Sequence, residues 1–142
     1  MQMLGIPFVT IFLNRKIMCD VTKDYTFNPT TGLLGTAPAS QTNTSFTFPG
    51  PTPVVSANGT TNAIVWAVDT SAYTSSGPSV LHAYNANNLK HELYNASQNA
   101  ARDTPDGSAV KFSTPLVMNG KVFMGTSNAV VIYGLLSPKP GQ

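Results

Sequence analysis

Few residues in this chain are equipped to do chemistry, and they are scattered. The 6 acidic residues are Asp20, Asp24, Asp69, Glu92, Asp103 and Asp106, and no two of them share a motif. His82 stands between Leu81 and Ala83 in an apolar run, a setting in which a packed, hydrogen-bonded histidine is commoner than one facing a ligand. Asp69 closes another apolar run, where an aspartate either caps a turn or looks into a rim pocket, capping being the commoner role. His91-Glu92 lies beside an outer run and reads as a solvated pair. Arg102-Asp103 reads as a local surface ion pair, which contributes little. Cys19 is the only cysteine, so neither an internal disulfide nor a thiolate metal cluster can form. With only Arg15 and Lys16 nearby to activate it, it reads as a small, half-buried thiol. A Gly-rich phosphate loop, a Ser-His-Asp set and a metal-spaced histidine pair are all missing from the sequence. Catalysis is therefore not the expectation.

The composition describes the scaffold that would position these residues. At 142 residues the chain can build one domain with a sizeable core. Charged residues make up 10%, against roughly 25% in ordinary soluble domains. Asn, Ser and Thr supply the polarity instead, as suits strands joined by many turns. The 11 Gly and 11 Pro punctuate strands better than helices. Net charge is only +2, with no basic run longer than Arg15-Lys16, so neither nucleic acid nor an anionic membrane surface is an expected partner. Met1 to Leu13 is apolar, but Pro7 breaks it, no basic residue precedes it and no small-x-small cleavage site follows, so no signal peptide is evident. At about a dozen residues it is also too short for a membrane span.

Read in order, the chain gives strands and turns and no amphipathic helix of ordinary length. Phe8 to Leu13 alternates β-branched and aromatic residues and predicts a strand. A polar turn follows, then a short strand at Tyr25–Phe27 that enters a turn at Asn28-Pro29. Leu33 to Ser45 is expected to be a loop. Pro49, Pro51 and Pro53 hold the next entry extended. From Phe48 to Tyr94 four runs then follow: Val54–Ser56, Ile64–Val68, Val80–Tyr84 and Leu93–Tyr94. Turn residues separate them, Asn58-Gly59 among them. The Ile64–Val68 run is apolar on both faces and predicts a strand covered on both sides. Further runs lie at Val110–Met118, Lys121–Thr126 and Ala129–Leu136.

These runs repeat. Pro53 aligns with Pro115, Asn58-Gly59 with Asn119-Gly120, Val65-Trp66 with Val122-Phe123, and Ala83-Tyr84 with Ile132-Tyr133 once Ser71–Ser79 is set aside. A repeat of about 40–50 residues made of four strands is the signature of a propeller blade. The expected organisation is strand remnants and a polar loop over residues 1–45 and a complete blade over 46–98. A partial blade of three strands over 99–136 and a tail over 137–142 complete it.

Several motifs then resemble the C-terminal blades of quinoprotein-like β-propellers, the pyrroloquinoline-quinone type. They are Phe48-Pro-Gly-x-x-Pro-x-x-Ser-Ala-Asn-Gly-Thr, the Ile64-Val-Trp-Ala strand, Leu81-His-Ala-Tyr-Asn-Ala and Glu92-Leu-Tyr-Asn. Val110-Lys-Phe-x-x-Pro-x-Val-x-Asn-Gly-Lys-Val completes the set. The family's blade motif Ala-x-Asp-x-x-Thr-Gly-x-x-x-Trp persists in worn form. Thr26-x-Asn28-x-x-Thr31-Gly32 has Thr36 in place of the Trp, and Ala83-x-Asn85-x-x-Asn88-Leu89 lacks the Gly. Ile11–Arg15 is similar to an earlier strand of such a propeller.

The resemblance implies an all-β, incomplete β-propeller of about two four-stranded antiparallel blades plus a remnant N-terminal strand, a truncated member of its family. It also implies a periplasmic or secreted setting. Catalytic members hold the quinone over a Trp floor beside a calcium ion, with an Asp as base. Calcium takes about six to eight oxygen ligands, which the dispersed acids here do not supply. Trp66, Asp69 and His82 are the weak cofactor-binding candidates, with Trp66 reading as core rather than floor. No cofactor is expected. Pyrroloquinoline quinone and calcium belong only to the alternative, a dehydrogenase or its remnant. The expected role is a structural or binding module that pairs with another propeller chain or a second copy. Ile64, Trp66, Val68, Val122 and Val131 are the candidates for its exposed apolar face.

Overall fold

Short apolar runs cut by Pro, Gly and Asn cannot make long helices, and each run that alternates becomes a strand. The computed structural model describes residues 8–9 and 19–136. Its strands form separate antiparallel sheets that follow one another along the chain. The fold is all-β. Among the described residues, helix is confined to 3-10 turns at Ser71–Ser75 and Ala96–Asn99 and one helical turn at Ala100–Asp103.

The first sheet is built around β2 (Asp20–Asn28), which pairs with β1 (Phe8–Val9), β3 (Leu33–Leu34) and β4 (Ser40–Phe46). The expected loop from Leu33 to Ser45 is thus corrected, because its second half is a strand. Thr42 explains why. Its hydroxyl accepts from the Thr22 backbone N–H at 3.0 Å and donates to the Thr44 carbonyl at 2.8 Å. A β-branched polar residue can therefore sit fully buried in a strand without apolar neighbours. The strand expected at Tyr25–Phe27 also grows, since β2 begins at Asp20. Of the strand expected at Phe8–Leu13, residues 10–13 lie outside the described residues, as do Arg15, Lys16 and the tail at 137–142.

The second sheet is a four-stranded meander of β5 (Val54–Asn58), β6 (Thr61–Asp69), β7 (Val80–Asn85) and β8 (Glu92–Asn95). The long β6–β7 ladder runs from Ile64↔Asn85 to Asp69↔Val80 without a break. The third sheet has β10 (Lys121–Gly125) at its centre, flanked by β9 (Leu116–Met118) and β11 (Val130–Gly134). Met118 pairs with Lys121, so Asn119 and Gly120 form a two-residue hairpin loop with φ of 51° and 69°. Left-handed φ at both positions is what an Asn-Gly hairpin turn supplies. At the matching Asn58-Gly59 a bulge shifts the register, and Asn58 pairs with Thr61. The turn itself then falls on Gly59-Thr60.

Strand β6 is covered on both sides, as its two-faced apolar pattern predicts. Ala63, Val65 and Ala67 face one cluster with Tyr84, Ala86, Leu89 and Phe46 of β4. Val68 faces the other with Leu81, Ala96, Val122 and Met124. The sequence offers a convincing neighbour only on the C-terminal side, yet the first sheet supplies the second cover. Ser40 fastens it by accepting the Leu89 N–H at 3.0 Å.

Candidate functional site

The three residues singled out from sequence lie on the middle sheet and do not converge. Trp66 is half-buried on the side that faces the third sheet, packed against the Val68–Met124 cluster. Its indole Nε1–H donates to Ser56 Oγ at 2.8 Å, so the polar edge is satisfied within its own sheet. Asp69 caps the end of β6, where Oδ1 accepts the Ser71 N–H at 2.8 Å and shapes the turn into the Ser71–Ser75 excursion.

His82 is buried on the opposite side, toward the first sheet, with 6% of its surface exposed. Its Nδ1 lies 2.6 Å from Glu92 Oε1. The ring stacks on Tyr84, with centroids 5.9 Å apart, and meets Phe46 edge-on at 5.4 Å. Asn95 Nδ2 donates to the second Glu92 oxygen at 3.0 Å. The sequence reading of Glu92 as a solvated partner of His91 is corrected, since only His91 is exposed. Register explains the difference. Ala83 pairs with Tyr94 but Tyr84 pairs with Glu92, so Leu93 bulges out and Glu92 is turned onto the face that His82 occupies.

With Glu92 taken as the acceptor, the pairing also assigns the tautomer. A carboxylate 2.6 Å from Nδ1 requires a proton on that nitrogen. The Tyr84 hydroxyl, 3.2 Å from the same atom, then cannot donate to it. Burial pushes the Tyr84 phenol well above its ordinary range, with the Glu92 charge adding to the shift, so Tyr84 stays a neutral hydroxyl. His82, Glu92 and Tyr84 make a hydrogen-bonded polar wedge inside a sheet–sheet interface.

Other polar groups tie the second sheet to the third. Arg102 and Asp103 form the expected ion pair, and Asp103 does more. Its Oδ2 accepts from Tyr94 Oη at 2.8 Å, and its carbonyl accepts from Tyr133 Oη at 3.0 Å. Burial raises the Tyr94 phenol, and raises that of Tyr133 to about 12. Cys19 is exposed rather than half-buried, at a left-handed φ of 80°. Among the described residues, no group of three His, Cys, Asp or Glu side chains could hold a metal ion. No described helix is long and apolar enough to cross a membrane. An open cleft of about 600 Å³ runs between β5 and β9, lined by Val54–Asn58, Asn62 and Val117–Gly120. None of Trp66, Asp69 and His82 lines it.

The third sheet carries the most conspicuous surface feature. Val122 and Met124 point inward, so the alternate residues point out. Leu116, Phe123 and Ile132 are paired in one row across three strands, with Met118 and Val130 on either side. Leu116, Ile132 and Val130 are 57%, 55% and 69% exposed. Lys121 is the one charged residue on this face. The sequence places Ile64, Trp66, Val68, Val122 and Val131 on or near the exposed face, and for the last four that expectation is corrected. Val68 and Val122 are buried between the second and third sheets, Trp66 packs against them, and Val131 pairs with the buried Met124. Every strand of the third sheet is apolar on both faces, so alternation alone cannot show which parity turns inward.

No family model matches this chain, and neither the curated proteins nor the solved structures give a match. Fold and surface together define a class: an all-β protein of antiparallel sheets, the last of which exposes apolar residues among the described ones.

Proposed function

We propose that this chain is a non-catalytic, quinoprotein-like β-propeller module, each sheet a blade, whose role is structural or binding. It associates with another propeller chain or a second copy of itself through the outer face of the third sheet. The observation that carries this reading is the Leu116–Phe123–Ile132 row, exposed at Leu116 and Ile132 with Phe123 half-buried between them. Large exposed apolar patches on soluble proteins mark interaction surfaces. The stacking already present within the chain supports it too, because β6 is buried on both sides by neighbouring sheets.

Analytical ultracentrifugation over a range of concentrations tests the proposal. The native chain is expected to self-associate, or to bind a hydrophobic dye while monomeric. Ile132→Asp should suppress both while shifting stability by less than about 0.5 kcal/mol, as surface substitutions do. A compact monomer that neither associates nor binds dye would sink the reading.

A further inference from the structure

A second surface feature lies at the links between the sheets and is independent of the apolar face. Phe48 comes from the link between the first and second sheets, Tyr73 from the Ser71–Ser75 turn, and Lys111 and Phe112 from the link into the third sheet. These segments converge. Phe48 meets Tyr73 at 6.4 Å and Phe112 at 6.5 Å between centroids, with interplanar angles of 67° and 85°. The rings make a corner rather than a flat platform. Lys111 Nζ sits in it, 4.5 Å from the Tyr73 centroid and 6.0 Å from that of Phe48. Among the described residues no carboxylate stands within ion-pair distance of Lys111, and the cation rests against the faces of Tyr73 and Phe48.

Phe112 adds a separate observation. It occupies the third position of a turn closed by the Ser113 N–H to the Val110 carbonyl at 3.3 Å, with φ at +61°. Left-handed φ strains a bulky aromatic residue. Burial does not compensate, because Phe112 is 63% exposed. Gly50 and Phe112 each stand three residues before the aligned prolines Pro53 and Pro115, and Gly50 has φ of +75°. One unit keeps glycine in this conformation. The other spends the strain on a ring that closes the corner.

We infer that Phe48, Tyr73 and Phe112 form a binding corner for a quaternary ammonium group, which Lys111 occupies in the free protein. A lysine ammonium is compact and strongly hydrated. A methylated ammonium spreads its charge over its methyl groups and gives up water more readily, so it displaces Lys111 from the rings. The perpendicular walls suit a rounded cation better than the flat face of a sugar or a base.

The test is an aromatic ¹H–¹³C NMR titration of the full chain with choline, with its neutral isostere 3,3-dimethyl-1-butanol as control. Choline should shift the Phe48, Tyr73 and Phe112 resonances saturably, and the isostere should not. Lys111→Met removes the competing cation and should tighten choline binding by about two- to fivefold, the worth of an exposed cation–π contact. Tyr73→Ala should abolish saturable binding. Phe112→Gly should weaken it at least about threefold while the melting temperature holds or rises, because the strain is relieved. Phosphatidylcholine vesicles in a co-sedimentation arm separate a lipid headgroup from a soluble ligand. The inference is overturned if the isostere binds as well as choline or if Lys111→Met gains nothing. It is equally overturned if Phe112→Gly lowers the melting temperature and leaves choline binding unchanged.

Discussion

The two faces of β6 are built from different materials. Toward the third sheet the contact is dry: Val68, Leu81, Val122 and Met124 interlock. Its polar atoms lie at the margin, where Asp103 of the flanking link accepts from the hydroxyls of Tyr94 on β8 and Tyr133 on β11, whose rings pack against the same cluster. Toward the first sheet β6 offers small residues, Ala63, Val65 and Ala67. Polar groups fill part of the remaining space, with the His82–Glu92 pair on one side and Thr22, Asp24 and Thr42 on the other. The dry interface draws its stability from area removed from water, which tolerates small shifts. The polar one depends on each donor meeting its acceptor, and an unmet group costs more than a met one contributes.

Substitutions at three positions sharpen or break this contrast. The largest effect is expected in the dry interface. Met124→Ala should cost about 2–5 kcal/mol, read from the denaturation midpoint at constant m-value. A loss well under 1 kcal/mol would mean that the second and third sheets are not packed as a core.

Next comes the polar wedge. Glu92→Ala removes the short acceptor of the buried His82 Nδ1–H, leaving it only Tyr84 Oη at 3.2 Å, and should cost about 1–3 kcal/mol. Glu92→Gln, whose amide oxygen can still accept, should recover part of the loss. Equal destabilisation by both variants would show that charge, rather than hydrogen bonding, holds His82.

Asp24 gives the smallest effect, and one of opposite sign. It is 3% exposed, its Oδ1 finds no partner, and burial raises its pKa above the ordinary value of 3.8. An acid whose folded pKa is raised binds more protons folded than unfolded, so stability falls as pH rises above the unfolded value. Asp24→Asn should therefore stabilise the protein at pH 7 by about 1 kcal/mol. The gain should fade as pH falls toward the unfolded value of about 4 and be gone below it, followed as melting temperature against pH. A gain that persists at pH 3 would mean that ionisation is not the cause.

The same contrast shows which parts of the molecule were legible in sequence. Strands β6 and β7 announce themselves by β-branched and aromatic runs between Gly, Pro and Asn, and the apolar pattern of β6 on both faces predicted its double cover. Strand β4 stayed hidden because Ser-Gln-Thr-Asn-Thr-Ser carries no apolar residue until Phe46. It folds as a strand by virtue of the Thr42 hydroxyl, in the interface where polar residues are wanted. Asp69 was legible as a turn cap, whereas Trp66, expected in the core, packs half-buried against its edge. The partnership of His82 with Glu92 was not, because a single bulged residue, Leu93, decides which way Glu92 points. The Phe48–Tyr73–Phe112 corner left no local trace either, since its rings come from three separate segments.

By itself, the sequence determined the strands of the middle sheet, the Asn119-Gly120 turn, the absence of clustered charge and the scarcity of chemically equipped side chains. These follow from local rules: backbone restriction, alternation and composition. The tertiary structure alone decided which parity of β9, β10 and β11 turns outward and what covers the far side of β6. It also decided which polar residues meet. Those outcomes depend on strand register and on how sheets stack, and a one-residue change in register turns every side chain of a strand to its other face.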